Sequence, residues 1–216
     1  MCRTGNRGEI RSYNAFYLAI CIFTISSVLY FGCGSDPEEE QAAMPEESLK
    51  NGWAEYRSGN YGTAILAFEK ALADGDGVST SAMADAYNGL GWVYLGFSQN
   101  TGVNQKNITT ALSKFQEAIA NNSDNADAWV GQAGLLLARR GSQDDLKDAL
   151  KAIDNALQGD TDYLYRHDYD SEADLRALKI QCYYYLGEWN KARDEINSVL
   201  AIEKDNSLAL TIKKLL

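Results

Sequence analysis

Four times along the chain a small residue is followed four positions later by a large apolar one. Three positions further comes another small or β-branched residue. The sets are Ala64–Phe68–Ala71, Ala111–Phe115–Ala118, Ala149–Ile153–Ala156 and Ala192–Ile196–Val199. Steps of four and three keep each set on one helical face. Small–large–small on one face lets two helices approach closely while the large side chain fills the gap between them. Recurrence of such a unit predicts a stack of repeats rather than a single bundle. Apolar periodicity upstream of each set supplies a partner helix, so four pairs are expected: 46–58 with 61–74, 80–97 with 106–121, 125–140 with 143–158, and 172–186 with 189–202. A last helix near 207–216 carries Leu208, Leu210, Ile212, Leu215 and Leu216 and is expected to cover the end of the stack. Cap-forming residues mark the starts at Ser79 to Ser81, Asp124, Ser142 and Ser171. Ser171-Glu172-Ala173-Asp174 reads as a capping box with Asp where Glu is usual.

The flanks of the sets are informative. Tyr56 and Gly59-Asn60-Tyr61 precede Ala64, and Tyr184 and Leu186-Gly187-Glu188-Trp189 precede Ala192. Tyr87-Asn88-Gly89-Leu90-Gly91-Trp92-Val93-Tyr94 and Ala126-Asp127-Ala128-Trp129 open first helices upstream of the second and third sets. Over roughly 45–206 this resembles the tetratricopeptide repeat, most strongly in the first and last units. The second and third units depart from it by extra residues between their helices. An insertion around 161–170 separates the third unit from the fourth, and the usual proline after each second helix is absent. The resemblance implies an all-α fold, a right-handed superhelix of about four helix pairs plus a C-terminal capping helix.

The N-terminus reads differently. Arg3, Arg7 and Arg11 precede an apolar or weakly polar run over 15–32, which ends in Leu29-Tyr30-Phe31-Gly32-Cys33-Gly34-Ser35. A basic stretch followed by such a run is an export signal. A small residue before a cysteine at its end resembles a bacterial lipobox, with Cys33 as the lipidated first residue of the mature protein. Tyr30 and Phe31 stand where Leu and a small residue are usual, so an uncleaved anchor and an ordinary cleaved signal stay open beside the lipoprotein reading. Residues 33–47 hold both prolines and an acidic run, Asp36-Pro37-Glu38-Glu39-Glu40, and are expected to form an extended tether ahead of a repeat domain over 48–216.

Charge and chemistry narrow the function. The net charge is −10, and the leader carries three arginines to one glutamate, so the remainder is more acidic still. That balance argues against nucleic acid as a partner. Cys2 and Cys21 fall in the leader and Cys33 at its end, which leaves Cys182 with no disulfide framework. There is one histidine, His167, without a Ser or Cys nucleophile motif, and neither a P-loop nor a dinucleotide fingerprint occurs. Asp74-Gly75-Asp76-Gly77 starts like a calcium loop but lacks the next ligand and the glycine, so it reads as a turn. No enzyme activity, cofactor or metal is expected.

The resemblance implies that the first helices line a concave surface. Leu49, Trp53, Tyr56, Asp85, Asn88, Trp92, Leu95, Asp127, Val130, Gly134, Leu137, Ala177, Gln181, Tyr184 and Tyr185 map there. Trp53, Tyr56, Asn88, Trp92, Gln181, Tyr184 and Tyr185 are the candidate partner-binding residues, although an aromatic stripe at helical spacing equally suits a core. Glu46, Asp85, Asp127 and Asp174 recur near first-helix starts, where the helix dipole favours carboxylates. Tyr163, Tyr165, His167 and Tyr169 make the insertion a possible binding loop. The expected function is a lipid-anchored scaffold or adaptor of the bacterial cell envelope, at the outer membrane facing the periplasm. It would bind an apolar or amphipathic segment of a protein or peptide partner. Alternatives are a regulatory subunit for a cell-wall hydrolase, a pilus or outer-membrane assembly accessory factor, and a purely structural envelope protein.

Overall fold

The computed structural model describes residues 44–73, 78–100, 105–159 and 171–216. Among them run nine helices and no strand. They are α1 Met44–Arg57, α2 Tyr61–Ala73, α3 Thr80–Asn100, α4 Gln105–Asn121, α5 Ala126–Arg139, α6 Gln143–Gln158, α7 Glu172–Leu186, α8 Trp189–Ile202 and α9 Ser207–Lys213. The pairs are α1–α2, α3–α4, α5–α6 and α7–α8, and α9 packs on α7 and α8. Each second helix buries its expected set: all twelve residues of the four sets are at most 2 % exposed.

Two boundaries differ from expectation. Helix α1 begins at Met44, so 44–47 is helical rather than tether. Pro45 falls in the first turn, where its missing N–H is harmless, and Glu46 and Glu47 favour the positive helix end. Helix α3 runs to Asn100 instead of 97. Its Gly96 lets the Tyr61 ring lie close, since a Cβ there would come 2.7 Å from that ring.

Glycine sets the spacing of the first two units. Phe68 of α2 lies between Gly52 of α1 and Gly89 of α3, where added Cβ atoms would stand 2.6 and 2.3 Å from its ring. Phe115 of α4 lies in the same way between Gly91 and Gly131, at 2.6 and 2.3 Å. In the third unit the smaller Ile153 takes the phenylalanine's place and packs in one cluster with Ala133 and Leu178. Side-chain volume has moved from the second helix to its neighbours.

The connections repeat too. Gly59 and Gly187 both adopt left-handed φ, 76° and 74°. Gly59 N–H donates to Tyr56 O and Asn60 N–H to Glu55 O; Gly187 N–H donates to Tyr184 O and Glu188 N–H to Tyr183 O. This is one helix-ending turn used twice. Helices α5 and α9 are likewise entered alike. Asn125 Oδ1 accepts from Ala128 N–H and Asn206 Oδ1 from Ala209 N–H, both at 3.1 Å. The N-cap of α5 is thus Asn125 and not Asp124, whose N–H instead bonds to Asn122 Oδ1 in the preceding turn. Ser79, Ser142 and Ser171 cap as expected, accepting from Ala82, Asp145 and Asp174 N–H. No helix of the described residues is long and apolar enough to cross a membrane.

Candidate functional site

The expected concave residues divide into a buried seam and an open end. Trp53 is buried, edge-on to Phe68 at 5.2 Å, and its Nε1–H donates to Asp85 at 3.1 Å. Trp92 is buried against Phe115 at 5.6 Å, and its Nε1–H donates to Asp127 Oδ2 at 3.1 Å. Asn88, fully buried, donates Nδ2–H to the same oxygen at 2.6 Å. Trp53, Asn88 and Trp92 therefore pack between units instead of forming an open binding surface. An indole hydrogen-bonded at its polar end can be buried at little cost. The recurring acids also gain a second role. Asp127 is 2 % exposed and accepts from two side chains of the preceding unit, which helix-dipole attraction alone does not describe.

Most of the other mapped positions are packing residues. Leu49, Val130, Leu137 and Ala177 are buried, and Tyr56, Leu95, Gly134 and Gln181 are half-buried. The loop residues Tyr163, Tyr165, His167 and Tyr169 lie outside the described residues, as do Cys33, the leader, the 33–43 part of the tether and the 74–77 turn.

Tyr184 and Tyr185 have a different setting. They line an open groove of about 560 Å³ together with Gly187, Trp189, Arg193, Leu215 and Leu216. Three of these apolar side chains face solvent: Tyr185 is 47 %, Trp189 57 % and Leu215 63 % exposed. Tyr184 and Tyr185 stand edge-to-face at 5.6 Å, and the Arg140 guanidinium lies 4.6 Å from the centre of the Tyr185 ring. Arg193 donates from Nη2 to Leu216 O at 2.7 Å. No Asp or Glu side chain lines the groove. The sequence reading missed Trp189, Arg193 and Leu215. The available signal was Trp189 itself, a large aromatic at the first position of the helix that carries the buried Ala192–Ile196–Val199 face.

The groove offers recognition and no obvious reaction chemistry. No group of three His, Cys, Asp or Glu side chains that could hold a metal exists among the described residues. Cys182 is buried in the cluster of Ala133, Leu136 and Leu178, and burial pushes its thiol up to about 12. It is chemically quiet at neutral pH.

The profile of the tetratricopeptide repeat family matches residues 49–99 and 103–163, a little over half of the chain. The chain belongs to the tetratricopeptide repeat family. The matched residues cover the first three helix pairs. The fourth pair carries the same buried set and the same αL glycine as the first. Solved structures share the fold. The fold is similar to that of YrrB, described as a tetratricopeptide protein with an unusual peptide-binding site. That similarity has a TM-score of 0.55 and 22 % identity over 82 % of this chain and 77 % of that one. It is also similar to pilF of Pseudomonas aeruginosa, with a TM-score of 0.57 and 18 % identity over 79 % of this chain and 66 % of that one. Among curated proteins, none matches the sequence significantly. At these identities the structural likeness establishes the fold: an all-α tetratricopeptide superhelix of four pairs with a ninth helix at its end. Tetratricopeptide repeats are in general non-catalytic protein-interaction scaffolds.

Proposed function

We propose that this tetratricopeptide protein is a lipid-anchored adaptor of the bacterial cell envelope that takes an apolar or amphipathic segment of a partner protein. The observation that carries the docking role is the groove of Tyr184, Tyr185, Trp189 and Leu215, with aromatic and aliphatic side chains held open to solvent beside cationic Arg193. Aromatic side chains with an arginine beside them are the usual anchors of protein interfaces. The anchor is supported by the basic leader, the apolar run and Cys33. The lack of an evident inner-membrane retention signal at Gly34 and Ser35 favours the outer membrane, with the repeats in the periplasm.

Two measurements test this. Metabolic labelling with a palmitate analogue, followed by membrane fractionation, should show a labelled, membrane-bound protein. Cys33→Ala should remove both label and retention. An unlabelled but membrane-bound wild type would replace the lipid with an uncleaved anchor. For the groove, a photo-crosslinking residue at Trp189 or Leu215 should capture a defined protein in intact cells. One at Leu66, which is 67 % exposed on α2, should not. Capture at Leu66 alone would move the docking surface away from the groove.

A further inference from the structure

A second pocket, where the second and third units meet, has a mostly polar lining. It lies between the turn joining α4 to α5 and the end of α6. It holds about 320 Å³ and is lined by Ser123, Asp124, Trp129, Asn155, Gln158 and Gly159. That volume falls at the small end of small-molecule sites, about 300–1,000 Å³.

Its two walls are fixed to each other. Asn155 and Gln158 stand three apart on α6, so their amides share one side of the helix. Gly159 ends α6 with φ −76°, a conformation open to any residue. Close approach is what calls for glycine there: a Cβ would lie 3.0 Å from Asp124 O and 3.2 Å from the Ala126 side chain. The end of α6 is thereby set against the 122–126 turn. Trp129 is half-buried; it packs against the core and lines the pocket with what remains. Its Nε1–H donates to Ser123 O at 2.8 Å, which holds the ring and uses its one donor. The indole therefore brings apolar surface to the pocket and no spare polar group.

The other three side chains keep their hydrogen-bonding groups unused. Asn125 takes the α5 cap in place of Asp124, whose carboxylate bonds to no described residue. The Asn155 and Gln158 side-chain amides likewise have no partner among the described residues. Each amide offers donors and an acceptor in one plane, and the carboxylate accepts only. No cationic side chain of the described residues lines the pocket. Ring hydroxyls on neighbouring carbons donate and accept in the same way, and the C–H side of such a ring is apolar. An anion would meet Asp124 with no cation to offset it. An apolar molecule would leave three polar groups without partners.

We propose that this pocket binds a neutral saccharide unit, with its hydroxyls on Asp124, Asn155 and Gln158 and its C–H side on Trp129. The site lies in a different unit from the Tyr184 groove and does not depend on it.

The test is saturation-transfer NMR followed by titration calorimetry on the full-length protein, in a detergent without a sugar headgroup. The probes are glucose, N-acetylglucosamine and their β-1,4-linked disaccharides, with glucuronate and tetramethylammonium as charged counterparts. At least one neutral saccharide should bind, with transfer to its ring C–H protons, and glucuronate should bind several-fold more weakly than glucose. Asn155→Ala/Gln158→Ala should weaken the neutral saccharide about tenfold. Alanine favours the helix, and circular dichroism confirms that α6 is kept. Asp124→Asn, outside any helix, should narrow the gap between glucose and glucuronate. No binding by any neutral saccharide, or binding indifferent to Asn155→Ala/Gln158→Ala, would overturn the site. Glucuronate bound as well as glucose would overturn the preference for a neutral ring. A stronger response to tetramethylammonium, lost in Asp124→Asn, would give the pocket to a cation and overturn the saccharide.

Discussion

Phe68 and Phe115 fill space that two glycines leave on either side of each ring. A methyl at Gly89 would lie 2.3 Å from the Phe68 ring, while Gly52 faces the same ring from α1. Two effects of Gly89→Ala oppose each other. Helix propensity favours alanine by about 0.5–1 kcal/mol, and overpacking costs about 1–3 kcal/mol. The ring is bounded by backbone on both sides, so overpacking should win and the variant should be less stable in urea unfolding. Phe68→Leu added to Gly89→Ala should recover part of the loss, because the third unit already uses a smaller residue, Ile153, beside Ala133. Simple additivity of the two changes would refute the shared-space account. Cys182 gives a second check at this scale. With its thiol pushed up to about 12 by burial, it should resist thiol reagents at pH 8 in the native protein and react on unfolding. The small–large–small sets were legible because period and residue size coincide in them. The burial of Trp53, Asn88 and Trp92 was not legible, because a polar atom on an aromatic stripe has the same spacing whether it meets water or Asp127.

Among the elements, α6 has a start whose stability should depend on pH. Ser142 caps Asp145 N–H, and the Asp145 carboxylate accepts from Arg139, through Nε at 2.8 Å and also through Nη2, and from Gly141 N–H at 2.8 Å. The Arg139 hydrogen bonds and the backbone donors hold the Asp145 carboxyl below its ordinary value. A depressed folded-state pKa stabilises in full above the unfolded value, about 3.9, and the contribution fades as pH falls through the lower folded value. Asp145→Asn should therefore cost about 1–2 kcal/mol at pH 7, moderated by the partial exposure of Arg139. Its deficit against wild type should shrink as pH drops below 4. A deficit constant from pH 7 to pH 3 would show that charge at Asp145 contributes nothing. Helix starts were largely readable from sequence, since Ser142 and Ser171 stand directly before periodic runs. Asp124 misled by one position. Asp124 and Asn125 can both cap, and the choice follows from the turn that buries Asn125 and leaves Asp124 to bond Asn122.

For the stack as a whole, the bonding between units changes along its length. The first three units are joined by Trp53–Asp85 and by Trp92 and Asn88 on Asp127, within a core that holds Phe68 and Phe115. Asp127→Ala removes the oxygen that two buried side chains share, and should cost about 2–4 kcal/mol. Between the third and fourth units, Gly134 stands in line with the tryptophans. The polar contact there is an ion pair, Lys179 with Asp154 at 2.8 Å. The last core cluster, from α7 to α9, is built around Ala173, Ala177, Ala192 and Ala209 with Ile180, Ile196, Val199 and Ile212, and contains no fully buried aromatic ring. In a linear stack each unit contributes its own core, so a core without a buried aromatic ring makes α7–α9 the least stable of the described parts. Native-state hydrogen exchange should show these helices opening below the global unfolding free energy, while α1–α5 exchange only with it. Uniform protection along the chain would mean that the tetratricopeptide units unfold as one.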